Sequence, residues 1–373
     1  MPRQLDLGQP APWFHAAALG GNPRYSFNTA AGRWVVMLFL GSAAADGARE
    51  VLEVVKGHRD LFDDANACLF GVTVDPEDVG TNRIAPAIPG IRWFLDYDRA
   101  VSLAYGATTQ PGAETYAPHW LLLDPMLRVT DRLALADGEQ LMAKLRHRLA
   151  TPMPFVAAPV LVLPDVFSPD LCRHLIGLYE ANGGEESGFM REVNGVTTTL
   201  HDHGHKRRAD FTIDDQQLIS TLKQRMALVL APMIARVFQC KVTRIERFIV
   251  ACYDADQGGH FRAHRDNTTP GTAHRKFACT INLNADAYEG GDLGFPEFGQ
   301  ATYRAPTGGA VLFSCSLLHE ARPVTRGRRY AFLPFLYDEE GARIREQNLG
   351  RVDPELRGYR SGLTVDEPAK VEG

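Results

Sequence analysis

Two histidines and one aspartate in the C-terminal half of the chain have the residue types and spacing of a metal site. His264 and Asp266 are separated by one residue in the segment GGHFRAHRD, and His319 follows later in LLHEARPV. A β-strand places residues i and i+2 on the same face, so one strand can present both the imidazole and the carboxylate to one ion. His319 lies in another strand-like run, and a neighbouring strand can therefore supply the third ligand. We predict a site of two imidazoles and one carboxylate.

Such a ligand set leaves one face of the ion open, which is the arrangement used by non-heme Fe(II) oxygenases. A chelating keto acid would fill two of the open positions and dioxygen the third. One HxD tripeptide in a chain with 12 histidines is weak evidence by itself. Three further features surround it in order: a lead-in that begins at Tyr253, the segment EGGDLGF, and Arg329 in the run RRYAFLPFLY. A guanidinium can hold a carboxylate through two parallel hydrogen bonds, so Arg329 is predicted to anchor an acidic co-substrate.

The segment 253–337 resembles the catalytic core of the 2-oxoglutarate and Fe(II)-dependent dioxygenases, and most of all their prolyl 4-hydroxylase branch. The resemblance implies a double-stranded β-helix, or jelly roll, with helices that precede and buttress it. It implies that His264, Asp266 and His319 bind Fe(II), that Arg329 pairs with the distal carboxylate of 2-oxoglutarate, and that Tyr253 lines the same pocket. Fe(II), 2-oxoglutarate as co-substrate and ascorbate are the cofactors that the resemblance suggests.

Two positions of this site stay open at the level of sequence. Arg328 is the alternative anchor, because the spacing from the second histidine varies by one among relatives; adjacent strand residues face opposite sides, so only one of the two arginines can point inward. Where relatives place a second hydroxyl near the co-substrate, this chain offers Thr280, or else Asn282, in FACTINLN. Asp266 is retained, whereas relatives that halogenate carry a small residue there, so hydroxylation is favoured.

Other histidines and one aspartate compete for attention. The motif HDHGH contains His201, His203 and His205, and its glycine and flanking charges favour a solvated loop over a metal site. The alternative is that residues 186–210 form a lid over the substrate. His260 is predicted to line the pocket or to lie on the surface, and Asp292 to belong to a turn or to the pocket.

Composition restricts the class of protein. The chain has 373 residues, which favours two domains, with 45% hydrophobic and 23% charged residues, as in soluble globular proteins. A net charge of −5 argues against a nucleic-acid partner, and the short KRR run at 206–208 does not change that. No segment is expected to reach the roughly 20 apolar residues of a membrane span, and the N-terminus lacks the apolar core of a signal peptide. A cytoplasmic location is therefore predicted, with six cysteines that are buried and reduced.

The N-terminal half reads as strand, helix, strand, late strands and a final helix, which is an α/β order. Over residues 5–150 it resembles the thioredoxin fold, in particular the peroxiredoxin branch. The chemistry of that branch is missing, since Ala45 and Ala48 stand at the threonine and cysteine positions and Pro118 stands near the usual arginine. Cys68 lies in a buried-strand pattern that would raise its pKa. This half is interpreted as a relic used for structure or recruitment.

Three domain ranges follow: a degenerate redoxin-like domain at 1–150, an oxygenase domain at 156–340 with its core at 248–338, and a polar tail at 341–373. The proline-rich segment 151–155 marks the boundary between the first two. Beyond it, Ser168 is predicted to cap one helix, and a second helix is predicted at about 215–238.

The predicted activity is a Fe(II)- and 2-oxoglutarate-dependent hydroxylation of a C–H bond, with release of succinate and CO₂. The substrate is a peptidyl or free amino-acid side chain or a small molecule, and neither its identity nor the oligomeric state follows from the residues. A non-catalytic binding or sensor protein is one alternative. A thiol peroxidase is another, and Ala48 counts against it.

Overall fold

The structure is a computed structural model that describes residues 4–110, 115–151, 156–354 and 356. Contacts divide the chain into two units, one of Met1–Ala157 with Pro296–Gly299 and the other of Ala158–Phe295 with Gln300–Gly373. Residues 152–155 of the predicted proline-rich boundary lie outside the described residues, as do 355 and 357–373 of the predicted tail.

The first unit is built on a mixed sheet whose central strands are apolar along nearly their whole length. Its strands are β1 (His15–Ala18), β2 (Tyr25–Ser26), β3 (Trp34–Gly41), β4 (Ala67–Thr73), β5 (Ile91–Leu95), β6 (His119–Leu123) and β7 (Val129–Ala134). Its helices are α1 (Ala48–Gly57), α2 (Glu77–Gly80), α3 (Ala100–Ala104) and α4 (Gly138–Ala150). The strand order is β2-β1-β5-β4-β3-β6-β7.

The pairing in this sheet follows from the connections. β3 and β4 are parallel and joined through α1, β4 and β5 are parallel, and β6 runs antiparallel to both β3 and β7. Every residue of β4 is buried, as expected of a parallel strand covered on both faces. The unit therefore follows the α/β order predicted from its sequence.

No thiol occupies the first turn of α1, which begins at Ala48. Cys68 lies inside β4 and is buried, and burial raises the pKa of its thiol to about 12. The predicted silence of this cysteine agrees with its position.

The second unit is mostly antiparallel β-structure. Its strands are β8 (Leu161–Leu163), β9 (Glu185–Glu186), β10 (Phe189–Val193), β11 (Val196–Leu200), β12 (Lys206–Arg207), β13 (Ala209–Thr212), β14 (Arg244–Glu246), β15 (Ile249–Asp254), β16 (His260–His264), β17 (Phe277–Asn282), β18 (Tyr288–Gly290), β19 (Leu293–Gly294), β20 (Thr302–Tyr303), β21 (Ala310–Ser314), β22 (His319–Ala321), β23 (Val324–Phe332) and β24 (Phe335–Tyr337). Its helices are α5 (Pro169–Asn182), α6 (Gln216–Phe238) and α7 (Glu339–Asn348).

Two sheets of this unit form the predicted jelly roll. The larger has the order β14-β24-β17-β23-β15-β13-β9, with β21 and β8 attached through β17 and β18 attached to β23. The smaller has the order β12-β16-β22-β19-β20, and β10 and β11 form a separate hairpin. Alternate residues of the larger sheet are apolar on its outer face, where they share one core with α5 and α6.

Both predicted helices are present. Ser168 caps α5, because its hydroxyl accepts from the Leu171 N–H, and Pro169 is the first helical residue. α6 buries Leu222 and Met226 in the core at the predicted four-residue spacing. By length and composition alone α6 is apolar enough to cross a membrane, contrary to expectation, and 28% of its most apolar window is buried in this structure. A single helix of this kind is weak evidence for a membrane span, because core helices of soluble proteins pass the same test.

The segment predicted to be a polar tail begins with a helix instead. Asp338 caps α7 by accepting from the Gly341 N–H at 2.9 Å, and Arg345 of α7 pairs with buried Glu246 at 3.6 Å. The segment is polar because most of α7 faces water, whereas the cap and the ion pair fix its start on the jelly roll.

Candidate metal and co-substrate site

The three predicted metal ligands meet at one end of the smaller sheet. β16 and β22 run antiparallel, and His264 and His319 are direct cross-strand partners. β16 ends at His264, so Asp266 lies just beyond the strand and not within it as predicted. The segment that follows β16 is held in place because the Asp266 N–H donates to the Cys315 carbonyl at 3.0 Å.

The side chains converge on one point. The distance from His264 Nε2 to Asp266 Oδ1 is 3.5 Å, and that from His319 Nε2 to Asp266 Oδ2 is 3.3 Å. Each imidazole places its Nδ1 near the backbone carbonyl two residues before it, Arg262 at 2.8 Å and Leu317 at 3.0 Å. A protonated Nδ1 that donates to a carbonyl leaves Nε2 with its lone pair, which is the tautomer a metal ligand needs. The donor set and its orientation therefore fit a divalent ion such as Fe(II).

The ligands sit in a largely desolvated place. The ring of Phe261 stacks on His264 with a centroid distance of 3.6 Å. Burial, together with the nearby His319, lowers the pKa of His264 to about 4. Burial alone would raise the pKa of Asp266, but the two histidines outweigh it and hold that pKa well below its usual value. An ionised carboxylate beside neutral imidazoles is the state in which these groups bind metal.

A cavity with about 480 Å³ of space free of atoms, part of it open to solvent, extends from the three ligands. Both sheets line it. Arg329 of β23 is among its lining residues and is only 2% exposed, yet its Nε and Nη1 have no hydrogen-bond partner among the described residues. A buried guanidinium with unsatisfied donors is costly unless a ligand completes them. Arg329 can therefore receive a carboxylate.

The position of Arg329 depends on a glycine of the segment EGGDLGF. Gly291 has a φ of +70°, and a methyl group placed on it would lie 3.2 Å from Arg329 Cδ and 2.9 Å from Val324 Cγ2. The glycine leaves room for the stem of the arginine.

Arg328, the alternative anchor, faces the other way. It is half exposed and its Nε donates to Asp254 at 2.8 Å. The register of β15 with β23 explains why Arg329 and not Arg328 faces the cavity. Arg329 is the cross-strand partner of Tyr253, which also lines the cavity, whereas Arg328 is the partner of Asp254.

Tyr253 and Thr280 both line the cavity. The Tyr253 hydroxyl accepts from Arg208 at 3.3 Å, and the ring lies 5.1 Å from the Arg329 guanidinium carbon. Asn282, the alternative to Thr280, is not a lining residue. It is buried and donates to the Ala305 carbonyl at 2.7 Å, which is a structural role.

Sequence reasoning missed two arginines of the cavity, Arg208 and Arg247. Arg208 donates through Nε and Nη2 to the two oxygens of Asp210, at 2.7 and 2.6 Å. Arg247 reaches the same carboxylate at 3.4 Å. The i, i+2 spacing of Arg208 and Asp210 was an available signal for a same-face pair, whereas Arg247 joins them only through the pairing of β13 with β15.

The competing residues lie outside the metal site. His201 and His203 are in an exposed loop, where His203 Nε2 lies 2.6 Å from Glu186 Oε1. His205 is half-buried, with its ring 6.5 Å from that of His264. His260 Nδ1 is 2.7 Å from the Gly258 carbonyl, and neither histidine lines the cavity.

Asp292 belongs to a turn, as one of its two predicted alternatives held. It accepts from Arg304 at 2.5 Å, and the same guanidinium also donates to backbone carbonyls of that turn.

The part of the chain that contains this site is similar to known proteins. Residues 248–337 match the family model described as the 2OG-Fe(II) oxygenase superfamily. A PKHD-type hydroxylase of Polaromonas sp. (strain JS666) is 29% identical over 201 residues, which are 50% of this chain and 82% of that protein. A PKHD-type hydroxylase of Paracoccus denitrificans (strain Pd 1222) is 34% identical over 124 residues, or 31% of this chain and 54% of that protein. Of this second relative, the chain thus matches about half the length.

A solved structure of a prolyl hydroxylase from Trichoplax adhaerens, in complex with a hypoxia inducible factor peptide fragment, aligns with a TM-score of 0.41 and 17% identity. The alignment covers 57% of this chain and 94% of that one. The family match spans His264, Asp266, His319 and Arg329. The chain thus contains a 2OG-Fe(II) oxygenase domain.

Proposed function

We propose that this chain is a Fe(II)- and 2-oxoglutarate-dependent dioxygenase that hydroxylates a C–H bond. The observation that carries the proposal is one cavity in which two imidazoles and a carboxylate converge while a buried arginine keeps unsatisfied donors. The relatives named as PKHD-type hydroxylases support the same activity.

Each residue has a separate task in this proposal. His264, Asp266 and His319 would hold the iron, and the contact of each imidazole Nδ1 with a backbone carbonyl orients the two rings before the metal arrives. Arg329 binds the distal carboxylate of 2-oxoglutarate through a bidentate pair. Tyr253 and Thr280 line the same cavity, where their hydroxyls can orient the co-substrate. The walls of the jelly roll limit access of water to the reacting groups.

Iron, 2-oxoglutarate and dioxygen together supply the oxidation, in which one oxygen atom enters the substrate as hydroxyl and the other enters succinate as CO₂ leaves. Asp266 occupies the ligand position that a halide would need, so hydroxylation is the proposed outcome. Ascorbate is proposed as an accessory reductant.

The substrate is proposed to be a peptidyl or free amino-acid side chain or a small molecule. The segment 186–210, which contains the β10–β11 hairpin, is proposed as a lid over the substrate. Lys206 and Arg208 near the end of this segment both donate to Ser187 near its start, so the two ends are held together, and Arg208 lines the cavity. A cytoplasmic location is also proposed, and the six free cysteines support a reducing environment.

The first unit is proposed to be a thioredoxin-like domain without peroxidase activity. The order β4-β3-β6-β7, with only the first pair parallel, supports that fold, and Ala48 at the first turn of α1 argues against thiol chemistry. Its proposed role is structural or in recruitment of the substrate.

The test is formation of the visible charge-transfer band of iron-bound 2-oxoglutarate under strict anaerobiosis. The wild-type protein should give the band, His264→Ala should abolish it, and Arg329→Ala should need at least about tenfold more 2-oxoglutarate, since a charged hydrogen bond contributes about 1.5–3 kcal/mol. Arg326→Ala, a change at an exposed arginine paired with Glu289, is the matched control and should behave as wild type.

A folded wild-type protein without the band would overturn the oxygenase proposal and leave a non-catalytic binding protein as the better account. With the band established, admission of oxygen separates these two functions, because only the enzyme converts 2-oxoglutarate to succinate.

A further inference from the structure

With Fe(II) and 2-oxoglutarate bound, the cavity would contain more positive than negative charge. Three arginines line it, and among the described residues Asp210 is the one carboxylate that hydrogen-bonds to Arg208 and Arg247. Lys206 does not line the cavity, and its amine donates to the neutral Ser187 hydroxyl and the Gly188 carbonyl. Its partners add no negative charge to the count, and any charge on its own amine adds to the positive excess.

A count of the charges in the loaded cavity leaves an arginine without a negative partner. Two positive charges on iron and one on Arg329 offset the single charge of Asp266 and the two of 2-oxoglutarate. Asp210 then offsets one of the two remaining arginines. A loaded cavity would keep at least one uncompensated cation, which is costly in a desolvated site.

Arg247 is the arginine whose donors are left over. Arg208 makes the bidentate pair with Asp210, whereas Arg247 reaches that carboxylate only through Nη2 at 3.4 Å. Its Nε is buried and has no partner in the described part of the chain, the same property that marks Arg329. Its guanidinium lies 5.2 Å from the ring of Phe335, another residue of the cavity wall.

The backbone at this position is unusual as well. Arg247 has a φ of +69°, in the left-handed region that a side chain with a Cβ adopts at a cost of roughly 1–2 kcal/mol. Such conformations persist where the surroundings impose them and cluster at ligand sites. The chain accepts this cost between β14 and β15 while it directs the guanidinium to the cavity.

We propose that Arg247 binds a carboxylate of the substrate itself, which makes the substrate an anion beside a 2-oxoglutarate that is already bound. This inference rests on the proposed function and narrows its substrate class. A free amino acid supplies such a carboxylate, and so does an acidic side chain or C-terminus of a peptide.

The experiment uses the full chain loaded anaerobically with Fe(II) and 2-oxoglutarate, and follows the charge-transfer band, which responds to a molecule bound next to iron. The probes are the common free L-amino acids, short acidic peptides, and the amide counterpart of each. At least one carboxylate should perturb the band at a concentration about tenfold or more below that of its amide, as expected for loss of a charged hydrogen bond. If only the free amino acids perturb the band, or only the peptides do, that class of molecule supplies the carboxylate.

Arg247→Met should abolish the preference for carboxylate over amide, while Arg247→Lys should retain part of it. Both variants should keep the concentration of 2-oxoglutarate that half-fills the site within about twofold of wild type, unlike Arg329→Met. Arg247→Met should fold, because Arg208 still pairs with Asp210 in its absence.

Three results would overturn the inference while the band itself still forms: no carboxylate perturbs the wild-type band more than its amide does, Arg247→Met keeps the preference, or that variant needs as much extra 2-oxoglutarate as Arg329→Met. The last result would make Arg247 part of the co-substrate site. Absence of the band in wild type would overturn the proposed function, and this inference with it.

Discussion

Each ligand histidine divides its two ring nitrogens between the backbone and the metal position. Nδ1 of His264 and of His319 lies within hydrogen-bonding distance of a carbonyl two residues earlier in the chain. The backbone itself thus selects the tautomer, and no second side chain is needed to orient the ring. Few rotamer changes remain for the metal to induce, so the site is organised before binding.

Burial of His264 has a consequence for stability. Its pKa falls to about 4 in the folded protein, against about 6.5 in an unfolded chain. Between these values the unfolded state binds the proton more tightly, so the free energy of unfolding decreases as the pH falls from about 6.5 to about 4. The decrease contributed by this residue is on the order of 3 kcal/mol in the metal-free protein.

Urea unfolding of the metal-free protein at a series of pH values measures this effect. His264→Asn should lose less stability over the same range, with the remaining dependence due in part to His205 and His119, whose pKa values burial also lowers. Equal pH dependence of variant and wild type would show that His264 is not held neutral by its surroundings.

At this scale the residue types and spacings predicted which side chains would meet. They could not choose between Arg328 and Arg329 by themselves, because the choice depends on which face of β23 is turned inward. Arg247 was out of reach for another reason: it has no fixed spacing to the ligands and joins the cavity only through tertiary pairing.

The turn between β18 and β19 sets the place of the co-substrate anchor. Gly291→Ala adds a methyl group 3.2 Å from Arg329 Cδ and imposes a left-handed conformation on a residue with a Cβ. We expect a several-fold increase in the 2-oxoglutarate concentration that half-saturates the charge-transfer band. Iron affinity without co-substrate should change little, because the ligands lie on β16, on β22 and just after β16, away from this turn.

Gly183→Ala is the matched control. Gly183 also has a positive φ, of +74°, but no atom lies within 4 Å of the added methyl group. If both variants lower 2-oxoglutarate affinity equally, general destabilisation and not displacement of Arg329 explains the result.

Secondary structure was predictable where one period dominates, as in α6 with its buried Leu222 and Met226. It was less so for the run 308–324, which reads as one strand but is two, β21 and β22, in different sheets. Apolar residues continue through the link between them, so hydrophobicity alone gives no sign of the break.

For the molecule as a whole, length and composition predicted two domains, and all residues that line the cavity belong to the second unit. A fragment of residues 156–373 should therefore give the charge-transfer band with 2-oxoglutarate requirements close to those of the full chain. Residues 1–157 should give none. A folded C-terminal fragment without the band would show that the first unit completes the site.

The cross-strand pairing of His264 with His319 gives the metal a mechanical role. The ladder between β16 and β22 is irregular between Phe261 and His264, so regular backbone hydrogen bonds are interrupted next to the ligands. An ion held by both histidines would substitute for the missing rungs and tie together two segments that are distant along the chain. In polymer terms it is a reversible cross-link that closes a long loop, and its stabilising effect depends on the length of that loop. Bound iron would thus stabilise the pairing of β16 with β22 as well as take part in the reaction.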